Sequence, residues 1–381
     1  MTIALLRGLI SISIYFLVLG AVLIYCSNSV ARANLALFKN RRKLDGWGHF
    51  DLYSAWLFLA LSVTAGLSTW YYIGNFFRES FLSEGLGNWQ LWVERSDLFV
   101  QAYRLVSQST LHWFWSSQLL MAACSFVGFV LMSGRKDAWA FVLLGFLGAI
   151  SVALALFLSD LIASRTLSRC VGSHEPTDHP ALPDSLLHPL VSWPIIAGLM
   201  SIMANSWIHP TSSLYMPNLI FLHVILLVPV LAFKSVAQTS EERWRPFWFV
   251  IATSVAAYLI YQCSLVGWMA RSQGLDQTLE ALFATISANS CQSSITLDLF
   301  FVTLAVMIVL MRILIMRYSK RIQQDAALLF LMTMLLVSIP LLSVSFAFPL
   351  LLALGSGSHA DALWSLSPTQ GRRLCSEPAS Q

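Results

Sequence analysis

Asp298 stands just inside an apolar run from Ile295 to Met316, with Asn289, Gln292, Ser294 and Thr296 gathered at its entrance. A carboxyl group at the mouth of a membrane span is expensive, and such residues mark functional sites by default. On a helix, Cys291, Ser294, Asp298 and Phe301 share one face, and Asn289, Gln292 and Thr296 form a polar stripe beside it. Withdrawal from water disfavours the charged form of a carboxyl group. An acid that keeps its proton near neutrality can serve as a general acid. The competing reading makes Asp298 a helix-start residue, bonded to backbone and facing headgroups.

A second constellation closes the second apolar segment: Ser68, Thr69, Trp70, Tyr71, Tyr72, Asn75 and Glu79. Tyr71, Asn75 and Glu79 follow at four-residue steps and make one polar stripe if the helix continues. The plainer reading is an aromatic belt with a solvated Arg78–Glu79 pair. A third opens the third segment, where His112 lies on a face with Trp115 and Ser116, and Gln118 packs beside Phe114 and Trp115. An interfacial anchor with a satisfied histidine explains it equally. Asp160 reads as the point where a helix meets water, and His223 as an inter-helix hydrogen bond rather than a catalyst.

The elements that must position these groups are helices in a membrane. The 381 residues are 57% hydrophobic and 11% charged, with a mean hydropathy of +0.69, against about 25% charged residues in soluble domains. Apolar stretches of about 18 residues or more, each long enough to span a bilayer, recur near 8–26, 52–74, 110–132, 138–159, 190–208, 217–234, 246–269, 295–316 and 328–354. Backbone groups in lipid must bond within their own segment, so an all-α, polytopic integral membrane bundle is expected. The first segment reads as a retained helix rather than a cleaved leader.

Residues 75–109 carry too many charges to cross and read as an amphipathic pair lying at the interface. Residues 160–189 form a polar loop, and 355–381, rich in Gly, Ser and Pro, a flexible tail. Residues 1–354 are thus one transmembrane helical domain. Basic residues cluster at 32–43, at Arg135/Lys136, at Lys234/Arg243/Arg245, and at Arg312/Arg317/Lys320/Arg321. If one segment among the fourth to sixth fails to cross, all four clusters share one side, as the positive-inside rule prefers. Segment 190–208, with Pro194 inside it, is the weakest. Eight crossings with both termini lumenal are expected, with nine as the alternative.

Six cysteines without CxxC or Cys/His spacing signal neither a zinc site nor a disulfide framework. The net charge of +4, split among loops, implies no nucleic-acid partner. There is no DDxxD, DxDD, histidine box, GxSxG, Walker A loop or GxGxxG. Metal-assisted diphosphate ionisation and nucleotide chemistry are therefore disfavoured. Proton-driven chemistry, which needs one or two placed acids and a dry pocket, is not.

Thr69-Trp70-Tyr71-Tyr72-Ile73-Gly74-Asn75-Phe76-Phe77, the His-Trp opening of the third segment and the run from Ala288 to Asp298 resemble fungal membrane-bound terpene cyclases of the ascochlorin, ascofuranone and macrophorin pathways. The likeness lies in layout, length and these short patches. It implies acid-initiated cyclisation of the prenyl chain of a meroterpenoid, by protonation of an epoxide or alkene, without a cofactor and in the endoplasmic reticulum membrane. The partners it implies are a lipophilic prenylated aromatic substrate and the bilayer itself. The residues themselves, rather than the resemblance, suggest Asp298 as the acid and Glu79, with Tyr71 and Asn75, as the group that either holds the epoxide oxygen or removes the final proton, with Trp70, Tyr71, Asn75, His112, Trp115, Gln118, Asn289 and Gln292 lining the substrate pocket. A multi-pass transporter or channel is the rival, and it calls for broken helices or repeats around a site at mid-membrane.

Overall fold

A computed structural model describes residues 2–133, 135, 137–171, 189–208, 211–231, 244–319 and 343–355, with isolated positions between 330 and 339. Among the described residues there are thirteen α-helices, one 3-10 turn and no strand. The helices are α1 (Ile3–Lys39), α2 (Gly46–Ser83), α3 (Trp89–Arg95), α4 (Leu98–Leu105), α5 (Thr110–Met132), α6 (Ala138–Leu147), α7 (Ile150–Val171), α8 (Pro189–Asn205), α9 (Tyr215–Leu231), α10 (Trp244–Gln273), α11 (Leu275–Thr285), α12 (Ser290–Ser319) and α13 (Val344–Gly355). Six of them, α1, α2, α5, α7, α10 and α12, are long and apolar enough to cross a bilayer. The chain is a multi-pass membrane protein.

Helices α5 and α7 form the centre and are enclosed along most of their length, whereas α1 exposes Ile3, Ile10, Ile14, Leu17 and Ile24 on its outer side. An outward apolar stripe of this kind is what a lipid-facing helix requires. Residues 75–109 divide differently from expectation. Helix α2 continues to Ser83 before α3 and α4 follow as two short helices, each capped by a side chain: Asn88 accepts from Gln90 N, and Asp97 from Val100 N. Helix α3 lies tightly on the start of α1, so that a Cβ on Gly8 would stand 2.4 Å from the Val93 carbonyl oxygen. The described part of 160–189 is helical through Val171. The tail beyond Gly355 lies outside the described residues.

The fourth apolar segment, 138–159, is not one helix. It is a hairpin of α6 and the first half of α7. Gly148 N bonds back to Leu144 O at 2.7 Å and ends α6, and α7 starts two residues later. The arms run antiparallel. Phe141 meets Phe157 edge-on at 5.3 Å, and Gly145 faces Ala153. Ten residues rise about 15 Å, half of a hydrocarbon core of about 30 Å, so α6 is too short to cross.

The open end of the hairpin is closed by charge. Arg135 donates from Nε to Asp137 at 2.9 Å, from Nη2 to Asp137 at 2.7 Å, and also from Nη2 to Asp160 of α7. Ser29 of α1 donates to both carboxylates at 3.2 Å. Asp160 is therefore a buried ion-pair partner rather than a group meeting water. A second cluster lies further along α7, where buried Asp51 accepts from Thr166 and Arg169, each at 2.8 Å, and from Arg312 of α12. These pairs and the Ser29 hydrogen bonds tie α1, α2, α7 and α12 together towards the C-terminal ends of α1, α7 and α12.

Burial opposes charge on both Arg135 and Asp137, but their mutual hydrogen bonds and attraction outweigh it. Arg135 is held above its ordinary value and Asp137 below. A lowered carboxylate contributes stability above its unfolded pKa and loses it as pH falls through the folded value. Arg135→Met should destabilise the protein by about 3–5 kcal/mol at neutral pH, because it leaves Asp160 charged and unpaired. The deficit against the parent should shrink as the carboxylates protonate on acidification. Thermal unfolding in lipid nanodiscs across pH measures both effects; an Arg135→Met melting point equal to the parent's at pH 7 would contradict the assignment.

Candidate active site at a broken helix

A helix that begins inside a bundle leaves its first N–H groups without partners. The residue at the cap of α7 is Ala149, whose carbonyl accepts from Ala153 N at 3.2 Å but whose methyl side chain can accept nothing. Asp298 supplies the missing acceptor from α12. Its Oδ2 accepts from Ile150 N at 3.1 Å and its Oδ1 from Ser151 N at 2.8 Å. Both bonds are buried, and they strengthen when the carboxyl group gives up its proton. The positive end of the α7 dipole points at the same carboxyl group. The sequence reading of Asp298 as a backbone-bonded helix-start residue is thus half right: it caps another helix, in the interior rather than at the headgroups.

Beside this break lies a cavity of about 270 Å³, between α1, α2, α4, α5, α6, α9 and α12. Phe16, Phe76, Phe77, Phe99 and Phe146 line it together with aliphatic side chains such as Ile12, Ile73, Leu119 and Ile295. Its polar groups are few. Asp298 reaches it with Ser294, whose hydroxyl donates to Thr69 O at 3.2 Å. Tyr15 donates to the Leu147 carbonyl at 2.6 Å, satisfying an acceptor at the end of α6. Tyr103 and His223 pair across the cavity wall at 3.0 Å. The His223 Nδ1 lies 2.8 Å from Leu219 O, a group that can only accept. Nδ1 therefore carries the ring proton, Nε2 is the acceptor, and Tyr103 O–H donates to it.

The structure distributes the other sequence-derived residues over three places. On α2, Trp70 is half-buried against Phe16 at 6.3 Å, on the helix that also brings Thr69 to the cavity. Tyr71 is exposed and Asn75 half-buried, and neither lines the cavity. Glu79 is exposed, accepts from Ser290 Oγ at 2.8 Å, and is also absent from the lining. The predicted stripe of Tyr71, Asn75 and Glu79 exists, since α2 runs unbroken to Ser83, but its two ends face outward.

On α5, His112 is buried and bonds within its own turn, to Ser109 Oγ at 2.8 Å and Gln108 Nε2 at 2.7 Å. Trp115 donates to Leu282 O at 3.1 Å and holds α11, and Gln118 donates to Phe114 O at 3.1 Å. Asn289 accepts from Gln292 N at 2.9 Å at the start of α12 and donates to Leu105 O at 3.3 Å. Gln292 is fully enclosed, and neither polar atom of its amide finds a partner among the described residues. Sequence reasoning passed over Tyr15 and Tyr103 and set His223 aside. Among the described residues no three His, Cys, Asp or Glu side chains gather as metal ligands.

No protein-family model, curated protein or solved structure matches the chain.

Removing the cap should expose the start of α7. Asp298→Ala deletes both acceptors, and at about 1–3 kcal/mol for each orphaned buried donor the Ile150 and Ser151 amides should exchange with deuterium at least about tenfold faster. Unchanged protection at both amides would mean that something other than Asp298 holds the break.

Proposed function

We propose that the protein is a membrane-bound terpene cyclase that folds the prenyl chain of a lipophilic aromatic substrate inside the cavity beside α7. The observation that carries this reading is a single carboxyl group, Asp298, set with the Tyr103–His223 pair in a wall that is mainly aromatic and aliphatic. A prenyl chain is complementary to such a wall, and the negative faces of its rings stabilise passing carbocations.

The chemistry follows from the groups in place. Asp298 gives its proton to the oxygen of an epoxide, or to a terminal alkene, and the internal alkene attacks the cationic carbon to form the ring bond. The carboxylate left behind keeps the Ile150 and Ser151 N–H bonds and the α7 dipole, which hold the new negative charge. The final proton leaves the substrate carbon for Tyr103 oxygen as Tyr103 passes its own proton to His223 Nε2. Return of that proton to Asp298 resets the site. The sum is an isomerisation, balanced by protons alone. In this assignment His223 and Tyr103 take the base role that was one of the two open to Glu79, because they line the cavity with Asp298.

The same reading fixes a topology. With 138–159 forming a hairpin, the chain leaves α7 on the side where it entered α6, and if the other apolar segments cross in turn the sequence order puts the basic clusters at 32–43, at Arg135/Lys136, in 234–245 and at 312–321 on one side. Charge bias then makes that side cytoplasmic. This reading counts eight crossings, among them 328–354, which lies largely outside the described residues, and takes the hairpin rather than 190–208 as the segment that does not cross. An endoplasmic reticulum location agrees with a substrate that partitions into the bilayer.

One observation favours a second reading, a transporter. Half-length helices whose ends meet a buried acid inside the bundle are how many transporters build their substrate sites, and α6–α7 has that form. The two separate in one assay. Proteoliposomes holding the chain are given a prenylated aromatic epoxide. A cyclase yields an isomer of unchanged mass and shifted retention; a transporter moves the compound across the bilayer unaltered. Asp298→Asn and Tyr103→Phe should each reduce isomer formation by about 10²-fold or more, with the protein still monodisperse. Parental turnover by Asp298→Asn would end the acid assignment.

A further inference from the structure

Two side chains that line the cavity beside α7 also stand on the outside of the bundle. Phe16 of α1 and Phe99 of α4 are 41% and 44% exposed, while Asp298 in the same lining is buried. The two are neighbours. Tyr15 stands between them, edge-on to Phe16 at 5.2 Å and to Phe99 at 5.3 Å. On its other side Phe16 meets Trp70 at 6.3 Å and Phe77 at 6.1 Å, both on α2. A rim of rings from α1, α2 and α4 thus separates the cavity from the outer face.

The depth of this rim decides what lies outside it. Arg7 and Arg32 are the nearest charged residues on α1, nine and sixteen residues from Phe16. At the helical rise these separations are about 13 and 24 Å. A hydrocarbon layer of about 30 Å places Phe16 within the acyl chains. The outward residues beside it agree, since Ile14 and Leu17 of α1 and Leu67 of α2 are exposed and apolar.

The frame of the opening is fixed and its door is not. Helix α1 is held by the Tyr15 hydrogen bond to Leu147 O and by the close seat of Gly8 on Val93. Phe16 is held to α2 by ring contacts alone, each a weak interaction. We propose that the substrate enters the cavity sideways from the hydrocarbon layer, between α1, α2 and α4, with Phe16 closing the opening. The end of its apolar chain goes in first, because Asp298 is buried and the rim is not. This rests on reading the cavity as the chamber of a lipophilic substrate, but not on the chemistry assigned there.

Cys291, buried in the cavity lining, is a built-in reporter. The probe is an alkylphenol dissolved in nanodiscs, carrying a thiol-reactive enone at the far end of its chain; a sulfonated maleimide in the water is its counterpart. Labelling is read by peptide mass spectrometry at alkaline pH, where the thiolate forms. Exposed Cys263 reports equal delivery, and Cys124, buried outside the lining, reports an intact fold. The enone probe should label Cys291 and the maleimide should not. Phe16→Ala removes both ring contacts with α2 and should speed enone labelling about fivefold or more. Phe99→Ala, across the opening, should speed it too, and Leu17→Ala, exposed but outside the lining, should not. Rates unchanged in both Phe variants, equal labelling by the maleimide, or no labelling of Cys291 would overturn the entrance. The readout needs no turnover. Labelling that depends on Phe16 without isomer formation would leave the entrance standing and remove the cyclase, and isomer formation without that dependence would do the reverse.

Discussion

The structure turns on two hydrogen bonds from the start of α7 to Asp298. A backbone that stops and restarts inside an apolar bundle must satisfy its free N–H groups from elsewhere, because no solvent is there to do so. Ala149 cannot provide the acceptor, and α12 provides it from 148 residues away in sequence. Once that bond exists, the hairpin can end beneath the far surface, and the space above its tip becomes the apolar cavity. The same contact therefore shapes the chamber and sets the chamber's acid. Tyr15, closing the Leu147 carbonyl, completes the arrangement from the α6 side.

The bundle is polar at its two ends in different ways. At one end, Arg135, Asp137 and Asp160, and then Asp51, Arg169 and Arg312, form ion pairs that, with the Ser29 hydrogen bonds from α1, lock four helices. Buried pairs of this sort are weak evidence of net stability, but breaking one is costly, so they fix the register of the helices against one another. At the other end, amides and hydroxyls of Gln108, Ser109, Asn205, Tyr215 and Gln262 line a cavity of about 250 Å³, with no charged side chain among the described residues that line it. The acid of the first cavity lies between these ends, on the helix that also carries Arg312.

Much of this was legible in the sequence. Helices in lipid follow from composition alone, and Asp298 stood out because a carboxylate in an apolar run has few uninteresting explanations. The hairpin was hidden because 138–159 is apolar from end to end; Gly148 is its only punctuation besides Gly145, and glycine is common in membrane helices. Tyr71 and Glu79 looked promising because helical spacing aligns them, but spacing states which residues share a face and not what that face meets. Tyr103 was invisible for the opposite reason. It belongs to α4, a segment whose charges mark it as interfacial, and only tertiary packing brings it to His223.

The central claim is that α6 turns back within the membrane and that Asp298 receives the start of α7 there. Nitroxide depth measurement at Leu147→Cys in nanodiscs, comparing collisions with oxygen and with a polar nickel chelate, addresses it most directly. The account predicts a label well inside the hydrocarbon layer, with oxygen collisions dominant. A label as accessible to the nickel chelate as one on the connection between α3 and α4 would show that α6 reaches the surface, and the hairpin, its cap and the chamber built on them would fail together.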